Sequence, residues 1–171
     1  MNHEVDVVRA VRDAYARVEA AGLKSQSIGQ MVRGGQSSNE LAISIMQAKE
    51  IIMAVATLEA RFNLVLMARV NDGSMQFLSG IFNDLVSMVR HYGNGVLKYG
   101  DAGLRYWVAY WLTGIGSSRE FGQLNCVAHE TAAAFYRDLI KPLLQDWFIA
   151  AKGAVESVLI QQQDANCLEA A

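Results

Sequence analysis

A single proline, Pro142, serves a chain of 171 residues, and no stretch of any length alternates apolar with polar side chains. Proline fixes φ and removes a backbone donor, so it gathers in loops, turns and sheet edges. A chain that hardly uses it, and that lacks the period-two pattern of strands, is confined to helices. The expectation is an all-α fold, a bundle of six or seven helices. An apolar fraction of 52% with 19% charged residues supplies a core at this length and excludes disorder for most of the chain.

Apolar periodicity divides the chain. Val5, Val8, Val11, Tyr15 and Val18 mark one face of a first helix, which Gly22 ends after Ala21. A loop rich in Gly, Ser and Gln follows from Leu23 to Gln36, broken at Gly34-Gly35. Ser37 and Glu40 form a capping box and open a long helix from about Asn39 to Val70. Apolar residues nearly surround its axis between Ile51 and Met67, which predicts the buried central helix. Asn71-Asp72-Gly73-Ser74 stops it. Met75 to Tyr92 reads as the next helix, with Phe77, Leu78, Ile81, Phe82, Leu85, Met88 and Val89 inward. An imperfect duplication, Tyr92-Gly93-Asn94-Gly95-Val96-Leu97 and Tyr99-Gly100-Asp101-Ala102-Gly103-Leu104, makes a turn-rich connector. No strand or Lys-Ser/Thr signature accompanies these glycines, so a phosphate-cradling role has no second support.

From Leu104 to Leu112 the chain is aromatic. Tyr106, Trp107, Tyr110 and Trp111 fall at helical spacing and predict a partner interface or a core. A base-stacking platform is the alternative. With the apolar central helix they offer more apolar surface than a small bundle hides, which predicts a homo-oligomer. After Pro142, Leu143 to Leu159 reads as a final helix, with Trp147, Phe148, Ala151, Val155 and Val158 on one face. The order suggests a packing and oligomerisation region over 1–100, a region over 101–160, and an exposed frayed tail over 161–171, within one compact domain.

The region 101–160 carries the most informative segment, Ser117 to Pro142: SSREFGQLNCVAHETAAAFYRDLIKP. Thr113-Gly114-Ile115-Gly116 breaks the chain before it, and Ser117 with Glu120 forms a second capping box. A helix, a tight turn and a second helix follow. Gly122 takes the position where two crossing helices leave no room for a side chain. Cys126 takes the turn position that needs a small residue, Val127 follows it, and Ala132 and Phe135 face inward.

Over residues 117–141 this segment resembles the helix-turn-helix of sigma-factor region 4 and of the small phage and mobile-element regulators that share it. Arg119-Glu120-Phe121-Gly122, Leu124, Cys126-Val127, Thr131-Ala132 and Phe135-Tyr136 carry the resemblance. It implies a transcription regulator whose second helix meets the DNA major groove or the transcription machinery, RNA polymerase included. Arg119, His129, Arg137 and Lys141 are then the nucleic-acid-facing candidates. In such proteins a Ser or Thr often caps the second helix, where this chain has Ala128.

Charge favours a second reading. The whole chain carries a formal net charge of −2, and from residue 116 onward four basic side chains face seven acidic ones. DNA affinity rests on phosphate neutralisation, so a helical adaptor or inhibitor that binds another protein is the alternative function. No catalysis, cofactor or metal is expected. Only His3, His91 and His129 are present, without ligand spacing, and the position four after His129 is Ala133. Cys126 and Cys167 are far apart and form neither a disulfide framework nor a metal pattern. Glu59 and Asp84, on largely apolar helices, are expected to pair with Arg61, Arg69 or Arg90. The N-terminus is charged and amphipathic, and Glu59, Arg61 and Arg69 interrupt the most apolar run, so no signal or membrane span is expected and the default location is cytoplasmic.

Overall fold

Helices account for every regular element among the described residues of the computed structural model, which are 6–26, 38–71 and 75–169. The chain divides into two compact units, Met1–Leu58 with Lys152–Ala171, and Glu59–Ala151. Neither boundary falls at residue 100 or 160.

The first unit holds α1 (Val7–Gln26), α2 (Ser38–Ala56) and the later part of α8 (Lys141–Glu169). Helix α1 buries Val7, Val11 and Ala14. This face is rotated from the expected one, because Val8, Tyr15 and Val18 are only half-buried. Ala14 of α1 and Ala48 of α2 are both buried, and small residues there let the two backbones approach. Gly22 does not end α1. It lacks the left-handed backbone that stops a helix, and inside one it costs only about 1 kcal/mol. Gln162 of α8 donates to the Gln47 carbonyl oxygen at 3.0 Å and to Glu50 Oε2 at 2.8 Å, tying α8 to α2. The first capping box, at Ser37, lies outside the described residues.

The long helix expected over 39–70 is two helices, α2 and α3 (Ala60–Val70), separated at Thr57-Leu58-Glu59. Thr57 Oγ1 donates to the Ala54 carbonyl at 2.9 Å, and the Leu58 amide reaches back only three residues, to Val55 at 3.3 Å. Glu59 then turns extended and accepts the amides of Phe62 and Asn63 through its carbonyl oxygen. Apolar residues on all sides of both helices leave no phase shift in the sequence to mark this break.

The second unit contains α3, α4 (Met75–Tyr92), α5 (Gly100–Thr113), α6 (Ser118–Asn125), α7 (His129–Phe135), a π turn (Tyr136–Ile140) and the start of α8. Helix α4 has the expected bounds and buries Leu85 and Val89, with Ile81, Phe82 and Met88 half-buried. The side chains of Phe77 and Leu78 lie outside the description. The glycine connector is shorter than expected, because α5 already begins at Gly100. Trp107 and Trp111 are 1% and 5% exposed, so they are core and not the partner interface that their spacing suggested. Trp107 packs against Tyr106, Tyr110, Phe121 and Tyr136, stacking on the last with centroids 5.0 Å apart. Tyr106 and Tyr110 remain partly exposed at its rim.

The helix after Pro142 is not separate. Helix α7 runs through the π turn into α8, which continues to Glu169, across the segment expected as a frayed tail. Proline at 142 has no amide to give the Asp138 carbonyl, and its ring would clash there. The π turn absorbs this: the Lys141 amide bonds the Tyr136 carbonyl, five residues back.

Candidate nucleic-acid interface

Helix α6 begins at Ser117, whose hydroxyl accepts the Glu120 amide at 3.1 Å. The other half of the capping box is replaced. The Ser117 amide donates to the Tyr106 hydroxyl oxygen at 2.8 Å. That hydroxyl lies 2.9 Å from the Ser117 carbonyl oxygen and 3.0 Å from Glu120 Oε2, and its one proton serves either acceptor. Burial raises the Tyr106 phenol above its ordinary value, more than its bond to the Ser117 carbonyl lowers it, and the Glu120 carboxylate adds to the rise. Spacing did not point to this clamp, because its partners are eleven and fourteen residues apart.

At its far end, α6 is closed by Cys126 in the left-handed region, φ 54°. The Cys126 and Val127 amides both reach the Gly122 carbonyl oxygen, the latter at 2.9 Å. This Schellman-type closure satisfies the carbonyls that a helix end orphans. A Cβ added to Gly122 would stand 2.6 Å from the Val127 carbonyl oxygen and 3.4 Å from the His129 nitrogen. Position 122 therefore tolerates only glycine without movement of the turn. Val127 packs on the core, and Ala132 and Phe135 are buried. Ala128 begins α7 with extended backbone and no side-chain cap.

Arg119, Gly122, Gln123, Cys126, Val127 and His129 line an open depression of about 350 Å3 at the elbow. Arg137 and Lys141 follow along the same continuous helix, roughly two and three turns beyond His129, and both are exposed. His129, Arg137 and Lys141 are all exposed along this stretch. Its charge is mixed. Arg137 is bound by Asp138, Nε to Oδ1 at 2.7 Å, and this bond holds the Asp138 carboxyl below its usual range. Glu130 lies beside His129, 4.0 Å away. Leu124, which carries part of the resemblance, is 70% exposed on the hairpin, and Ile115, in the break just before α6, is 78% exposed.

Among the described residues, no group of His, Cys, Asp and Glu could hold a metal ion. Glu59 pairs with Arg61 at 2.9 Å, as expected. Arg90 pairs instead with Asp101, and Asp84 is exposed. No helix among the described residues is long and apolar enough to cross a membrane. Comparisons with protein-family models, curated proteins and solved structures each find no match.

Proposed function

We propose that α6, the Cys126–Ala128 turn and α7 are a helix-turn-helix unit, and that the protein is a small cytoplasmic transcription regulator of the phage and mobile-element kind. Its second helix contacts DNA, the transcription machinery, or both. The observation that carries this reading is the elbow itself: a left-handed turn residue, and a glycine whose absent Cβ would meet the turn carbonyl at 2.6 Å. The exposure of His129, Arg137 and Lys141 supports it. Arg119, His129, Arg137 and Lys141 are the groups that would meet phosphates or base edges.

The test is binding to mixed-sequence duplex DNA across a salt series. Non-specific contact alone gives a dissociation constant of about 10⁻⁴–10⁻⁶ M, and affinity falls steeply with salt. Lys141→Ala and Arg119→Ala should each weaken binding and reduce the salt slope by about one phosphate contact. Absence of salt-dependent binding by a folded chain would remove DNA as the partner.

A second reading has its own support. Leu124 is exposed on the hairpin and Ile115 just before it, and Asp138 and Glu130 offset Arg137 and His129. An adaptor or inhibitor that docks another protein through this hairpin would depend on Leu124, whereas phosphate contact would not. Leu124→Ser therefore separates the two: it leaves DNA affinity unchanged in the first reading.

A further inference from the structure

Within the first unit, α1, α2 and the later part of α8 enclose a cavity of about 210 Å3. At the ~30 Å3 that a water occupies in the liquid, this is room for about seven waters, so it suits a small solute rather than a drug-sized one. Its apolar wall is Ala14, Ala48 and Ile51, all buried. Short side chains at 14 and 48 keep the space open between the helices.

Asp13, Arg17 and Gln162 line the same cavity. Asp13 and Arg17 stand one turn apart on α1, acid before base, the order in which such a pair ordinarily closes. Here it does not close. Arg17 Nη1 donates to Ser44 Oγ of α2 at 3.3 Å, and Asp13 Oδ2 lies 3.9 Å from Arg9 Nε, one turn back. The first contact is long and goes to a neutral hydroxyl, and the second is an exposed pair at the limit of reach, so neither holds its group firmly. Among the described residues no carboxylate comes within ion-pair distance of Arg17, and its other N–H groups have no acceptor. Gln162 uses its amide nitrogen on the Gln47 carbonyl oxygen and Glu50, and its own carbonyl oxygen accepts no bond among the described residues. Asp13 and Arg17 are exposed, so the cavity is reached from solution.

The lining selects for charge. A purely anionic solute would meet Asp13, and a purely cationic one Arg17. Only a solute that carries both charges close together satisfies the two. One helical turn rises ~5.4 Å, which a carboxylate and an ammonium on one carbon span with a hydrogen bond at each end. We infer that this cavity binds a small aliphatic α-amino acid. Its carboxylate takes the Arg17 fork, its ammonium donates to Asp13 and the Gln162 carbonyl oxygen, and its side chain rests on Ala14, Ala48 and Ile51. The site lies wholly within the first unit and does not depend on the reading of the α6–α7 elbow.

The experiment titrates the full chain with L-valine at constant ionic strength and follows backbone amide resonances. Two matched probes each lack one charge: isovalerate has no ammonium, and isobutylamine has no carboxylate. The expected result is saturable shifts in α1, α2 and the later part of α8, with a valine half-point near ~1 mM, the strength of a weak small-ligand contact. Either single-charge probe should need at least about ten times more, for the charged bond it cannot make. Arg17→Gln should raise the valine half-point at least about tenfold without weakening isobutylamine. Asp13→Asn should raise it similarly without weakening isovalerate. No saturation by ~10 mM valine, beyond the range of a weak specific site, overturns the inference. So does a valine half-point matched by either single-charge probe, one unchanged in either variant, or shifts centred outside these three helices. If a variant loses its helical circular dichroism, the two single-charge probes decide alone.

Discussion

At Gly122, helix propensity and packing pull in opposite directions. Replacing a helical glycine by alanine ordinarily gains about 1 kcal/mol. Here the new Cβ would meet a carbonyl oxygen of the turn, a backbone atom that cannot swing aside. Overpacking of that kind costs about 1–3 kcal/mol, and a larger side chain adds more. Gly122→Leu should therefore lower the melting temperature, by about 2–4 °C for each kcal/mol lost at this chain length. A rise would mean that α6 and α7 are not held at this elbow. The same residue scale gives a pH dependence. The Tyr106 and Tyr136 phenols are raised above 10.0 in the folded state. Above the unfolded pKa the folded state then holds more protons, so stability is full below about pH 10 and falls as pH rises through the folded values. Tyr106→Phe should flatten part of that fall while lowering stability at pH 7 by about 1 kcal/mol for its lost bonds. Urea midpoints measured from pH 8 to 11 check both.

Among the elements, the capping box, the small turn and α4 were legible because each leaves a mark local in sequence. Ser117, Gly122 and Cys126 are each demanded by backbone geometry within a few residues. The break at Thr57-Leu58-Glu59 left no such mark, since α2 and α3 are apolar on several sides and a break shifts no visible stripe. Rotation of the α1 face depends on Ala14 meeting α2, a fact of tertiary packing. The aromatic run was ambiguous for a similar reason: spacing places Trp107 and Trp111 near each other, but only the arrival of Phe121 and Tyr136 decides that they are core. The π turn shows in the burial pattern and not in the sequence, where Ala132, Tyr136, Leu139, Leu143 and Trp147 also fall at regular helical steps. Buried residues run 132, 135, 140, 144, 147 and 151. The single step of five, from Phe135 to Ile140, needs a wider turn to keep one face inward. Deleting exposed Asp138 shortens that step to four, so regular helix should replace the π turn and return the Pro142 ring to a clash with the carbonyl four residues back, a cost of about 3 kcal/mol. The deletion variant should stay folded and cooperative by circular dichroism, whereas deletion of Gln145 in regular α8 should not. Equal damage by both deletions would show that the register is not set by this step.

For the molecule as a whole, the all-helical architecture followed from what the sequence lacks, whereas the division into two units did not. The first unit joins α1 and α2 to a segment of α8 more than a hundred positions away, and periodicity carries no information about such pairings. Self-association was expected from aromatics that turn out to be partly buried. One surface that could support it is α2, where Ile43, Met46 and Met53 are exposed at helical spacing. If the protein is an oligomer, Met46→Glu with Met53→Glu should convert it to monomer in sedimentation at tens of micromolar, roughly where weak interfaces show. An oligomer that survives both changes must use another face.

The bond from Gln162 to Gln47 also bears on the order in which the chain can be built. During synthesis α1 and α2 emerge first, yet the part of α8 that they pack with comes last, after the whole of the other unit has been made. At about 5–20 residues per second, that gap lasts on the order of 5–20 s. Throughout it α1 and α2 lack the α8 segment that Gln162 ties to Gln47 and Glu50, so the helices made earlier complete their packing later. Their apolar faces are then the part of the nascent protein most open to capture by a chaperone.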